Sequence, residues 1–247
     1  MEAVLPTGEN RLLAMLSPPA LALLVPHLRT CPLTQGATLQ EAESPVERVY
    51  FPQSGLISLV ARMQTGEIVD TAAVGREGAI GAFAGLGPWN AFTRAVVQVS
   101  GRAVFISASP FQVAVSHNQE IKELVLRYKE ALLSQVQQLA ACNALHTLEA
   151  RLARWLLQAH DASDGVILSL TQEALGQMLG VRRTTVTLVA QQIQSLGLVR
   201  YRRGRIEILD RGKLEGMACE CYMTIRRRSE AVTALKRSTR NLQLFTS

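Results

Sequence analysis

The chain has 247 residues, of which 48% are hydrophobic and 19% charged, a mix too apolar for a disordered chain and long enough for two modest domains. The net charge of +6 is unevenly placed. Residues 1–143 carry 10 Lys and Arg against 11 Asp and Glu, whereas residues 144–247 carry 16 against 9. A basic module joined to a neutral one points to a polyanionic partner on one side only, although a basic solvated surface would give the same count.

The first ten residues lack a basic segment followed by an apolar run, and no uncharged apolar run reaches about 18 residues. A cytoplasmic chain that does not enter the membrane is therefore expected. The four cysteines, Cys31, Cys142, Cys219 and Cys221, are too sparse for a disulfide scaffold. Cys219 and Cys221 would point away from each other on a helix, so neither a metal nor another cofactor is expected.

Residues 11–28 read as a short helical lead-in broken by Pro18 and Pro19. From Leu33 to about Pro110, short apolar runs alternate with glycines: Val49–Phe51, Leu56–Ala61, Ile68–Val74, Ala95–Val99 and Ala103–Ile106. Gly55, Gly66 and Gly101 are among the glycines read as turns. Many short strands at near-regular spacing indicate an all-β barrel, roll or sandwich. Gln64-Thr-Gly-Glu67 reads as a hairpin turn. Trp89 fits a packed surface better than a pocket cap.

From Asn118 the pattern turns helical. Ile121, Val125, Tyr128, Leu132, Gln135, Leu139 and Cys142 recur at alternating steps of 4 and 3, a heptad seam expected at a two-chain dimer interface. Packing on its own domain is the other reading of that stripe. Cys142 would then be an inert seam thiol, or one that senses oxidation across the dimer axis. A second helix is expected from Ala144 to His160, with Leu145, Leu148, Leu152, Trp155 and Leu156 inward and Arg151 and Arg154 elsewhere. A polar loop, residues 161–165, ends it.

Residues 168–209 carry the most information. Thr171 is a plausible N-cap for a helix from Gln172 to Leu179, closed by Gly180. A second helix runs from about Arg182 to Leu196, with Val186, Val189, Ile193 and Leu196 inward. Gly176 lets the two helices cross closely, so the spacing is that of a helix-turn-helix. The outward face presents Arg182, Arg183, Thr184, Thr187 and Gln191, and no acidic residue occurs from Arg182 through Arg205. Arginine and hydroxyl side chains at that end suit the major groove. Leu198–Tyr201 and Arg205–Ile208 alternate as two strands with a basic tip, forming a wing in which Arg202, Arg203 and Arg205 would meet phosphates. Thr171 and Gln172 would join that DNA-binding surface. Arg226-Arg-Arg228, Lys236, Arg237 and Arg240 form a basic tail.

Three groups of motifs support a resemblance. They are VYFPQSGL (49–56) and VGREG (74–78), then NALH (143–146) with RLARWLL (151–157), then LGQMLGVRR (175–183). The chain resembles the Crp/Fnr family of bacterial transcription regulators across nearly its full length. The resemblance implies an α+β fold: an N-terminal antiparallel β-roll of the double-stranded jelly-roll type (1–116), a long dimerisation helix (117–143), a C-terminal winged helix-turn-helix (144–221) and the basic tail (222–247). It also implies a homodimer on double-stranded DNA at a pseudo-palindromic operator, gated by a signal in the roll, with RNA polymerase as a further partner. The effector pocket would involve Gly81, Ala82, Phe83, Thr93 and Arg94. Ala82 stands where cyclic-nucleotide binders carry the ribose-binding Glu, and Thr93 where they carry the phosphate-binding Arg. Arg94 lies one place on, on the opposite strand face. Thr184 and Leu188 replace recognition residues common in the family.

Two other classes fit the sequence less well. A metal-dependent enzyme needs imidazoles on facing strands, and no histidine occurs between residues 28 and 116; nor is there a Gly-x-Ser-x-Gly or a phosphate-binding loop. The protein is therefore not expected to be an enzyme. A small-molecule sensor module with vestigial DNA binding is the remaining alternative.

Overall fold

The structure, a computed structural model, describes residues 9–87, 89–163 and 167–234. Its N-terminal part is an antiparallel β-roll. Strands β1 (Arg29–Leu33), β2 (Thr38–Gln40), β3 (Arg48–Arg62), β4 (Ile68–Val74) and β5 (Arg94–Ser107) make one sheet in the order β1-β5-β3-β4, with β2 also on β5. The β3–β4 hairpin turns at Gly66, whose N–H donates to the Met63 carbonyl (2.9 Å). That is the turn expected at residues 64–67.

The four short runs expected at 49–51, 56–61, 95–99 and 103–106 fuse into two long strands, β3 and β5. Gly55 and Gly101 therefore sit inside strands rather than at turns. They lie where β3 and β5 close on each other at a bulge. A Cβ at Gly55 would stand 2.6 Å from the Val99 carbonyl oxygen, and one at Gly101 2.3 Å from that of Ser54. Pro18 and Pro19 also differ from expectation. They open helix α1 (Pro18–Ala22) behind the Ser17 cap instead of breaking it, since Pro in the first turn forfeits no helical hydrogen bond.

Helix α2 (Ala108–His117), absent from the sequence reading, leads into α3 (Gln119–Leu145). The Asn118 side chain caps α3 by accepting from the Ile121 N–H (3.0 Å). His146 and Thr147 break the helical run, and α4 (Leu148–Ala162) starts under the Thr147 cap. Leu145 thus ends α3 and is 80% exposed, rather than joining the inward face of the next helix. Beyond α4 lie β6 (Ile167–Ser169), α5 (Gln172–Leu179), α6 (Arg183–Ser195), β7 (Val199–Arg202), β8 (Arg205–Ile208), α7 (Arg211–Met217) and α8 (Cys221–Ala234). The basic stretch thus begins as a helix. Its Arg228 donates to the Ser134 hydroxyl of α3 (2.7 Å). Lys236, Arg237 and Arg240 lie outside the described residues, as do Asp164 and Gly165 of the polar loop.

One core joins the two halves. Leu56, Val60 and Ala73 of the roll pack with Leu152, Trp155 and Leu156 of α4 and with Leu175, Val186 and Ile193 beyond it. Helix α4 is covered on most sides, so Arg154, expected on its outer face, is buried. The Trp155 indole N–H donates to the buried Asp70 carboxylate of β4 (3.3 Å). Burial pushes Asp70 up to about 7, against the opposing pull of Arg154 and the Trp155 hydrogen bond.

Candidate nucleic-acid interface

Helices α5 and α6 form the expected helix-turn-helix. The Thr171 hydroxyl accepts from the Ala174 N–H (3.1 Å), and Gly180 ends α5 in the left-handed conformation at φ +66°. The Val181 N–H then returns to the Gly176 carbonyl (2.9 Å). Val186, Val189 and Ile193 of α6 are buried as expected, but Leu196, just past its last turn, is 56% exposed. Ala190 completes the inner face instead.

Arg182, Arg183, Thr184 and Gln191 are exposed on the far side of α6. Thr187 is half-buried. Its hydroxyl lies 2.7 Å from the Gln172 amide oxygen and 3.0 Å from the Arg183 carbonyl, so Thr187 and Gln172 also tie the two helices together.

Strands β7 and β8 pair in register Val199↔Ile208 to Arg202↔Arg205 and turn through Arg203 (φ +49°) and Gly204 (φ +74°). Two residues in succession at positive φ make the tight hairpin turn that matches strand twist. The Gly204 carbonyl accepts from the Leu170 N–H (2.7 Å), which holds the wing against the start of α5. Arg200 is ion-paired with Glu207 (2.9 Å). Arg182, Arg183, Arg202, Arg203 and Arg205 make no ion pair among the described residues. Thr171, Gln172, Glu173, Arg183, Tyr201 and Arg203 line a surface groove between the start of α5, the start of α6 and the wing tip. Of the residues expected to meet DNA, Thr171, Gln172, Arg183 and Arg203 thus share one groove. Arg205 and Arg202 lie on the other flank of the wing.

The residues expected at a dimer seam are not on the surface. Ile121, Val125 and Tyr128 pack into the roll core with Leu12, Leu13 and Phe111, and the Tyr128 hydroxyl donates to the Ala79 carbonyl (2.8 Å). Leu132 is partly buried there, the Gln135 amide donates to the Ala73 carbonyl (2.9 Å), and Leu139 and Cys142 are buried. The stripe marks the face that α3 lays on its own chain. A second stripe, Leu126, Leu133, Val136 and Ala140, stays exposed on a flanking side of the helix.

The five residues expected at an effector pocket are held within the roll. Gly81 turns at φ +77°, Ala82 is buried, and Phe83 contacts the Trp89 and Tyr128 rings. The Thr93 carbonyl accepts from Gln40 (3.3 Å), while Arg94 is spent on the Thr38 hydroxyl (2.7 Å) and Glu41 (3.2 Å). A cavity of about 210 Å³ opens elsewhere, between the roll, α3, α4 and α8, with Arg76, Glu77, Gln135, Asp161, Tyr222 and Arg226 in its wall. Tyr222 donates to Asp161 (2.7 Å), and Arg211 donates to both (2.8 Å to Asp161, 2.7 Å to Tyr222).

One cluster was missed. Cys219 lies in the α7–α8 turn and Cys221 opens α8, so the two are not along one helix, and both thiols approach Cys142 and His146 at the α3–α4 corner. The Cys142 and Cys219 sulfurs are 3.5 Å apart. That hydrogen bond holds the Cys142 thiol well below its ordinary range and, with burial, pushes Cys219 up. The only sequence signal was a CxxxH step at 142–146 followed, far along the chain, by CxC.

Residues 150–217 match the Crp-like helix-turn-helix domain family. No curated protein matches the chain. Solved structures do. FixK2 from Bradyrhizobium japonicum is 15% identical, with a TM-score of 0.65 over 78% of this chain and 98% of its own. TTHB099, a transcriptional regulator of the CRP family from Thermus thermophilus, is 20% identical with a TM-score of 0.63, over 76% of this chain and 96% of its own. TTHA1359, a CRP/FNR-family regulator from the same organism, is 22% identical with a TM-score of 0.61, over 77% and 98%. At these identities the likeness is one of fold.

Proposed function

Starting from a Crp-like helix-turn-helix domain carried on the Crp/Fnr regulator fold, we propose that the protein is a sequence-specific transcription regulator. It acts as a homodimer on a pseudo-palindromic operator in the cytoplasm and catalyses no reaction. The observation that carries this reading is the groove face. Arg182 and Arg183 at the start of α6 and Arg203 at the wing tip are exposed and free of ion pairs among the described residues, beside the Thr171 and Gln172 end of α5. Docked in a major groove, α6 would offer Arg183, Thr184 and Gln191 to base edges, while Arg202, Arg203 and Arg205 meet phosphates.

The dimer contact in this reading is the exposed stripe Leu126, Leu133, Val136 and Ala140, because the buried stripe is already used within the chain. Two-fold symmetry about it would present two recognition helices to half-sites about one helical turn, roughly 34 Å, apart. The cavity between the roll, α3 and α8 is the site at which a small polar ligand would act. It touches α3 through Tyr128 and Gln135 and the DNA-binding half through Asp161 and Tyr222, so filling it would bear on the angle between them. RNA polymerase is the partner such a regulator would meet at a promoter.

Selection of bound duplexes from a random pool tests this reading. Recovery of inverted half-sites at that spacing, with affinity falling steeply in salt, is expected. Equal affinity for all duplexes at physiological salt would overturn specific regulation.

A further inference from the structure

The geometry points to a mononuclear metal site, of the zinc type, held by Cys142, His146, Cys219 and Cys221. Their ligand atoms all lie within 4.8 Å of one another. The Cys142–Cys219 sulfur pair is 3.5 Å apart, and the Cys221 sulfur is 3.6 Å from His146 Nδ1. With metal–sulfur bonds of about 2.3 Å and a metal–nitrogen bond of about 2.0 Å, a tetrahedral ion spaces its sulfurs about 3.8 Å apart and sulfur from nitrogen about 3.5 Å. These two pairs are thus at or near the spacing one ion would impose, and all four atoms are close enough to be drawn onto one ion by small side-chain shifts. A multi-iron cluster would place iron and sulfide between its ligands and spread them farther.

Three surrounding groups fit the same ion. His146 turns its other nitrogen, Nε2, to the Glu220 carboxylate (3.2 Å), the outer partner that orients a metal-bound imidazole and fixes its tautomer. The Gln138 amide donates to the Cys221 sulfur (3.1 Å), as suits a thiolate. Arg154 is buried, its Nε makes no hydrogen bond, and its charge acts on both Cys142 and Cys219. A divalent ion with three thiolates and a neutral imidazole carries one negative charge, which this guanidinium offsets. Binding converts any protonated ligand thiol to thiolate and releases its proton to solvent.

The site would clamp the α7–α8 turn, which follows the winged domain, to the α3–α4 corner, where the dimer helix hands over to that domain. Its role is structural: all four positions are filled by the protein, leaving none for a substrate.

The test uses the full chain purified without chelators. One zinc per chain is expected, released by a mercurial thiol reagent. Cobalt(II) exchanged into the protein should show the intense visible bands of a tetrahedral thiolate site. Cys31→Ser, on β1 and outside the cluster, should keep both signals, and Cys219→Ser should lose them. Glu220→Gln should weaken zinc binding about 10-fold or more without removing a ligand. Should Cys219→Ser fail to fold, the wild-type metal content and the Glu220→Gln affinity decide alone. Folded wild-type protein that holds no metal, shows no cobalt bands, or carries a Cys142–Cys219 disulfide in place of metal would overturn the site.

Discussion

Gly176 offers a sharp test of the helix-turn-helix geometry, because two effects of comparable size oppose each other there. Gly176 lies within α5, and replacing a helix-interior glycine by alanine ordinarily stabilises by about 1 kcal/mol. A Cβ at this position, however, would stand 2.8 Å from the Val181 carbonyl oxygen. That carbonyl belongs to the turn whose N–H returns to Gly176, so relief requires the backbone of the turn to move. Overpacking of this kind costs about 1–3 kcal/mol. Gly176→Ala should therefore be neutral to destabilising, by up to about 2 kcal/mol once the helical gain is subtracted. Gly216 in α7 is the control. No atom lies within 4 Å of a Cβ built there, so Gly216→Ala should stabilise by about 0.5–1 kcal/mol. Urea unfolding at matched m-value measures both. DNA affinity should fall for Gly176→Ala alone, because the displaced turn tilts α6. If Gly176→Ala stabilises as much as Gly216→Ala and leaves DNA affinity intact, the crossing of α5 and α6 is not as close as described.

Further outcomes are expected at the wing, the helix stripe and the buried carboxylate. Arg203→Ala should weaken binding to all duplexes alike and reduce the magnitude of the salt slope by about 1, whereas Arg183→Ala should cost about 1–3 kcal/mol on the selected operator and relax its specificity; identical profiles for the two would remove the division of labour between wing and helix. Leu133→Lys, on the exposed side of α3, should give a monomer in sedimentation, and a dimer that persists would place the interface elsewhere. Asp70 keeps its proton to about pH 7 in the fold but loses it near pH 4 when unfolded, so its contribution is full below pH 4 and falls by about 1.4 kcal/mol per unit as pH rises to about 7. Asp70→Asn should flatten that decline in melting temperature between about pH 5 and 7; a slope unchanged from wild type would show that Asp70 is not the group responsible.

Much of the DNA-binding half was legible in the sequence because its signals are local. Thr171, Gly176 and Gly180 act within a turn or two of their own positions, and Arg203-Gly204 closes a hairpin between adjacent strands. The 3,4,3 spacing of Val186, Val189 and Ile193 needs only the helical period. The same locality explains the misreadings. Gly55 and Gly101 looked like turn residues, yet what they meet is each other's strand, 46 residues away in sequence. Arg154 looked like a surface residue because periodicity counts one buried face, and α4 has neighbours on several. The heptad stripe from Ile121 to Cys142 correctly marked a buried face of α3. Periodicity records that a face leaves water, not what covers it, and here the cover is the chain's own roll and α8. The effector-pocket residues likewise kept their places along the chain while Arg94 was taken by Thr38 and Glu41. The cysteine–histidine cluster is the extreme case, with members from α3, the α3–α4 corner, the α7–α8 turn and the start of α8. Sequence alone determined the helix-turn-helix and the wing hairpin, whose energetics close over a few residues. Tertiary structure decided which apolar face stays free and which distant polar side chains meet, because those depend on contacts between segments that no local period encodes.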